Sequence, residues 1–217
     1  MSHRAVDNYT EYRWETAKTG AHDYIVPTLI KIIKRLDIPH DSIILDAGCG
    51  GGALVSILCS QCDFKKIYGF DASKSGIDLA KKSFPDLADN FHIHSAYDAK
   101  LPSNLPQKYD FIISMEVIEH LYSPGGYLKN INFWLKDNGY LVLTTHYHGY
   151  LKNIAIAFLN KSDRHYDPLS EGGHIKFFSK KKLCRLLEEN GFKPLCFYGS
   201  GRLPYLWKST VVVAQKI

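Results

Sequence analysis

The stretch Ser42-Ile-Ile-Leu-Asp-Ala-Gly-Cys-Gly-Gly-Gly52 joins a short apolar run to four glycines within five residues, with Asp46 at their head. Ser42–Ala47 has the length and character of a buried strand, and Ala53–Cys62 those of a helix. A strand that turns at once into a helix gathers backbone N–H groups and the positive helix end at one spot. Glycine allows both the turn and a close approach to the backbone. A turn alone needs one glycine. Four of them predict that something lies against this loop.

The pattern continues on both sides. Ile25 to Leu36 places Ile25, Leu29, Ile32, Ile33 and Leu36 at helical spacing, ending before Pro39. Downstream, Lys66–Phe70, Phe91–Ser95, Tyr109–Met115 and Tyr140–Thr145 read as strands. Ser75–Phe84, Pro124–Leu135 and Lys180–Asn190 read as helices, and Pro194–Tyr198 and Thr210–Ala214 as closing β segments. Such alternation implies an α/β fold, a largely parallel sheet with helices on both faces. Ligands of these sheets bind outside the carboxyl ends of the strands. The residues that follow each strand are therefore the candidates.

Two readings of the loop compete. Gly48-x-Gly50-x-x-Ala53, with Asp71 ending the next strand, fits a dinucleotide site and an NAD-dependent oxidoreductase. Asp46-x-Gly48-x-Gly50-x-Gly52 instead resembles the first motif of the class I S-adenosylmethionine-dependent methyltransferases, and the resemblance extends over residues 40–145. It implies a Rossmann-like, seven-stranded, mostly parallel sheet whose last strand is antiparallel. It also implies S-adenosylmethionine as cofactor, held at Asp46, Ala47, Gly48, Cys49, Gly50 and Gly52. Asp71, beside Ala72, matches the acid that takes the ribose hydroxyls, and Asp98, beside Ala99, the acid that accepts from the adenine amino group. Met115 and Glu116 match the segment beside the methionine half. The chemistry agrees: a vicinal diol and an amino group are donors, and an ionised carboxylate is purely an acceptor.

Methyl transfer to a hydroxyl also requires a proton acceptor, and histidine is the natural one. His146 ends the fifth strand at the ligand edge and is the first candidate, with His174 second; His120, His148 and His165 lie in the same part of the chain. Residues 149–178 read as a lid-like insertion rich in His, Tyr and Arg, with Ser170–Gly173 as hinge. Gly201–Trp207 reads as a wall for the acceptor. The segment Glu116-x-x-Glu119-His120 is similar to one in ubiquinone-biosynthesis O-methyltransferases, for which a bound magnesium has been proposed. The same residues recur in methyltransferases without metal, and no metal is expected here.

The whole chain sets the outer bounds. Its 217 residues, 45% hydrophobic and 23% charged, suit one domain: residues 1–40 as an arm with Tyr9, Tyr12 and Trp14 followed by a helix, then the sheet. The net charge of +5 is spread over scattered lysines, which argues against a nucleic-acid partner. No apolar run approaches the length of a membrane span. The N-terminus has no secretory pattern, so a cytoplasmic location is expected. Cys59 and Cys62 read as reduced packing residues. The sequence thus predicts a methyltransferase acting on a small molecule, a quinol-like or saccharide hydroxyl. An NAD-dependent oxidoreductase and a cofactor-binding module without turnover are the alternatives.

Overall fold

Successive residues of the central strands enter two different cores. In strand β1 (Ile43–Ala47), Ile44 packs in one core while Leu45 and Ala47 pack in the other. In β4 (Tyr109–Met115), Phe111 and Ile113 go one way and Ile112 the other. A sheet covered on both faces needs continuous apolar strands rather than alternating ones, which is why these segments are so uniformly hydrophobic. The computed structural model describes residues 12, 14–167, 169 and 172–217.

The remaining strands are β2 (Lys66–Asp71), β3 (Phe91–Ile93), β5 (Leu135–His146), β6 (Phe192–Ser200) and β7 (Ser209–Lys216). Their order is β3-β2-β1-β4-β5-β7-β6, with β7 antiparallel to both neighbours and the rest parallel. Helices α1 (Gly20–Leu36), α2 (Ala53–Cys62) and α3 (Lys74–Ser83) cover one face; α4 (Pro124–Trp134) and α7 (Lys180–Glu188) cover the other. The strand order reverses between β1 and β4, so their carboxyl ends border the switch-point crevice. After β5 come α5 (Tyr150–Phe158) and the five-residue α6 (Ser162–Tyr166).

Several boundaries differ from the sequence reading, three of them with a local cause. Helix α1 starts at Gly20 because Thr19 caps it: the Thr19 N–H donates to His22 Nδ1 at 3.1 Å. Strand β3 stops at Ile93, and His94 turns to contact the Asp98 carbonyl through Nε2 at 2.9 Å. Strand β5 begins at Leu135, paired with Tyr109, and a register shift absorbs Lys136–Gly139 before regular pairing resumes at Tyr140. The five cysteines are all unpaired, as expected for Cys59 and Cys62.

One buried hydroxyl ties the α4 layer to the site edge. Tyr127 of α4, fully buried, donates from its hydroxyl toward Ala47 O at 3.0 Å and Ser114 Oγ at 2.9 Å, at the ends of β1 and β4. Removing that hydroxyl strands a carbonyl beside the glycine loop. Tyr127→Phe is expected to cost about 1–3 kcal/mol in urea unfolding; a change below about 0.5 kcal/mol would mean that these bonds contribute no net stability.

Candidate active site

The glycine loop is pinned to the end of β2. Gly48 N and Cys49 N both donate to Phe70 O at 2.8 Å, and Gly50 N donates to Asp71 Oδ2 at 2.9 Å. Gly52 N turns back to Cys49 O at 2.9 Å. These N–H groups are consumed within the protein. A pyrophosphate cradle would need them free, so the dinucleotide reading loses its physical basis.

The space left by the glycines is used by the protein itself. A side chain at Gly50 would run into the Trp14 indole, and one at Gly51 into the backbone of Ala17. One at Gly48 would meet Val117, and one at Gly52 Phe91 and Ala80. The chain's own Trp14 and Ala17 thus pack against part of the loop. Tyr12 O accepts from Ser73 Oγ at 2.7 Å and Ser75 Oγ at 2.9 Å, which seats Trp14 between Gly50 and Gly76. Tyr9, also assigned to the arm, lies outside the described residues.

Three acids line this end of the sheet. Asp46 is 1% exposed, and its Oδ1 has no hydrogen-bond partner among the described residues. Burial, and then the neighbouring Asp71 charge, push it up to about 8. Asp71 accepts from Gly50 N and from Ser73 N at 2.8 Å, and burial raises it against those two bonds. Two N–H contacts leave lone pairs on both oxygens. Asp98 is exposed in a cleft of about 560 Å³ that Tyr97, Ala99 and Leu101 also line. Ala72 follows Asp71 at the half-buried rim, and Met115 packs partly into the core at the end of β4. The arrangement suits a positively charged ligand bearing a diol. An unpartnered buried carboxylate is costly until a donor reaches it.

The other side of the crevice is built from Glu116 and histidines. Glu116 has φ 56°, a left-handed conformation that sends its carboxylate toward β5 and β7. Thr144 Oγ1 donates to its Oε1 at 2.8 Å and Ser209 Oγ to its Oε2 at 3.1 Å. His146 Nδ1 lies 2.8 Å from Glu116 Oε2 and 3.3 Å from Glu119 Oε1. Burial would lower His146, but the hydrogen bonds and charges of both carboxylates outweigh it and hold the ring up to about 9. His174 stacks at a tilt on His146, centroids 3.9 Å apart, and His120 lies 4.9 Å from His174. Burial, and then the charges of His146 and His120, push His174 down to about 4.

The returning limb of the insertion brings His174 here. Ile175 N and Lys176 N both bond Glu119 O, at 2.9 and 3.0 Å, and His120 Nδ1 contacts Gly172 O at 2.7 Å. Of the expected hinge, Ser170 and Glu171 lie outside the described residues. Donor atoms of Glu119, His120 and His174, and those of Glu116, Glu119 and His146, fall within 4.8 Å of one another in two groups. Glu116, expected at the cofactor, turns its carboxylate to His146, leaving only its backbone at the end of β4. Sequence reasoning missed Thr144 and Ser209, since nothing local marks a hydroxyl on β7 as a partner for β4.

Residues 21–196 match the sequence profile of a methyltransferase domain. The chain belongs to the class I S-adenosylmethionine-dependent methyltransferases. Its cofactor is S-adenosylmethionine. The ubiquinone biosynthesis O-methyltransferase of Hydrogenovibrio crunogenus is 25% identical over 179 residues, 82% of this chain and 73% of that one. The protein of the same name from Coxiella burnetii is 28% identical over 180 residues, 81% of this chain and 74% of that one. In fold, this methyltransferase resembles the magnesium protoporphyrin IX methyltransferase of Synechocystis PCC 6803, with a TM-score of 0.67 at 18% identity, covering 89% of this chain and 82% of that one. Among the described residues, no helix is long and apolar enough to cross a membrane.

The buried Asp46 makes a sharp stability prediction. Its value in the fold, about 8, lies above its ordinary 3.8, so its contribution to stability is fully present below about pH 4 and is lost as pH rises through about 8. Asp46→Asn should therefore raise the melting temperature of the cofactor-free protein at pH 8 and have little effect at pH 4. Equal shifts at both pH values would mean that Asp46 is not held protonated.

Proposed function

We propose that this methyltransferase O-methylates a small, quinol-like phenol, with His146 taking the phenolic proton. The observation that carries this reading is the Glu116–His146 contact at 2.8 Å, which holds the ring up to about 9. A phenol loses its proton near pH ~10, so proton transfer to such an imidazole is nearly balanced. Nδ1 faces the two carboxylates, which leaves Nε2 as the accepting atom. A saccharide hydroxyl is a far weaker acid and fits this base poorly. The relatives named as ubiquinone biosynthesis O-methyltransferases support the same choice.

An aromatic cluster that begins at the residue after His146 would suit a flat acceptor. Tyr147 and Trp207 meet edge to face at 5.1 Å, and Tyr205 packs 5.5 Å from Trp207. When bound, the cofactor supplies a methyl group on a positively charged sulfur, and the protein's part is to align and desolvate the partners. Asp46, with its unpartnered Oδ1, would take the ammonium group. Asp71 would take the ribose hydroxyls, and Asp98 the adenine amino group from its cleft. Binding the ammonium ionises Asp46. Calorimetry with S-adenosylhomocysteine at pH 7, in buffers of different ionisation heat, should thus show about one proton released per cofactor. Binding without net proton release would remove Asp46 from that role.

The base makes a second prediction. With catechol as acceptor and EDTA-treated enzyme, kcat/KM should rise with pH and level off near 9, where His146 becomes neutral. Glu116→Gln should move that inflection to lower pH by removing the larger support of the charged ring, and His146→Asn should abolish it. An inflection unmoved in Glu116→Gln, or turnover that returns only with added magnesium, would contradict this mechanism.

A further inference from the structure

Beyond His146, the acceptor side holds a second polar cluster that proton transfer does not use. Lys152, in the first turn of α5, is 5% exposed, yet no acidic side chain among the described residues lies within ion-pair distance of it. Its Nζ donates to two backbone carbonyls, Tyr147 O at 2.8 Å and Lys208 O at 3.4 Å, tying the start of the insertion to the loop before β7. An ammonium has three donors, so at least one remains. His148 and His165 pack with ring centroids 5.5 Å apart, and the Nε2 of each is buried without a partner. Tyr166 and Phe177 close around them: Phe177 meets His148 edge to face at 5.0 Å, and Tyr166 meets His165 at 4.9 Å.

Every group in this cluster can donate. Burial, and then the charge of Lys152, push His148 down to about 3 and His165 to about 4. Burial, and then the guanidinium of Arg202, lower Lys152 to about 8. A buried ammonium beside half-buried imidazoles whose Nε2 atoms lack partners, with no acidic side chain paired to it among the described residues, is unfavourable by itself. Any anionic oxygen group entering it would gain charge-assisted bonds from Lys152 and hydrogen bonds from the imidazoles. The cluster begins two residues past His146, at the same sheet edge.

We infer that His148, Lys152 and His165 form a seat for an anionic group, carboxylate or phosphate, carried by the methyl acceptor. This rests on the reading that the acceptor enters at the carboxyl end of β5. The seat lies to the side of the proton-accepting ring, so it fixes which acceptors bind and leaves the base itself unchanged.

The test is a binding measurement that needs no turnover. Histidine-labelled protein saturated with S-adenosylhomocysteine is titrated with inorganic phosphate and, separately, with benzoate, at ionic strength held constant with sodium chloride. The ring resonances of His148 and His165 should shift saturably. Response to phosphate alone assigns a phosphoryl group, and response to benzoate alone or to both assigns a carboxylate-accepting seat. Lys152→Met should weaken binding about tenfold, and His165→Gln likewise, each with the fold checked by its melting temperature and by S-adenosylhomocysteine binding. Shifts no larger than those from sodium chloride alone, or binding unchanged in a folded His165→Gln or Lys152→Met protein, would overturn the proposal. Failure of the catechol assay, by contrast, bears on His146 and leaves this result standing.

Discussion

The carboxylate of Glu116 joins the ends of three strands. It stands on β4 with a left-handed backbone, takes one hydroxyl from Thr144 on β5 and another from Ser209 on β7, and holds His146 at the end of β5. Because β7 is antiparallel and inserted beside β5, its first residue reaches the edge where the parallel strands end. A hydroxyl from the last strand can therefore support a charge on the fourth. Without this carboxylate and that of Glu119, burial would favour a neutral His146. The fold's mixed sheet and the chemistry of the site share one contact.

Charge is divided along that edge. Asp46, Asp71 and Asp98 gather at the ends of β1, β2 and β3. His146, His148, Lys152, His165 and His174 gather at the end of β5 and in the insertion. Under the proposed function a cationic cofactor would meet the acids, and a proton or an anionic substituent the bases. Burial, and then the nearby Asp71 charge, keep Asp46 uncharged until such a partner arrives. The arm adds a further constraint. Trp14 packs onto the glycine loop, its backbone N–H donating to Ser75 Oγ while Tyr12 O accepts from Ser73 and Ser75, so Tyr12, Trp14 and the glycine loop form one structural unit.

Much of the fold was legible because both its faces are buried. Continuous apolar runs such as Tyr109–Met115 marked the strands and the helices between them, while α5 and α6 of the insertion carried no such signal. The acids Asp46 and Asp71 at the ends of β1 and β2, and Asp98 past β3, were singled out through the resemblance to a family pattern. The support of His146 was not, because it joins residues 116, 144 and 209, which only strand pairing brings together. Nor was the role of the glycines: their spacing is the same whether a ligand or an indole lies against them. His174 was found as a candidate by composition, but its stacking on His146 depends on the path of the insertion, set by the two N–H bonds to Glu119 O.

The proposed chemistry depends on the proton affinity of one ring. A nitrogen-15 NMR titration of His146 in the protein saturated with S-adenosylhomocysteine measures it directly, without assuming any acceptor. A midpoint near 9, with the proton lost from Nε2 while Nδ1 stays bonded to carboxylate, is the expected result. A midpoint at or below the ordinary 6.5 would show that Glu116 and Glu119 do not hold the charged ring, and His146 could not serve as the matched base for a phenol.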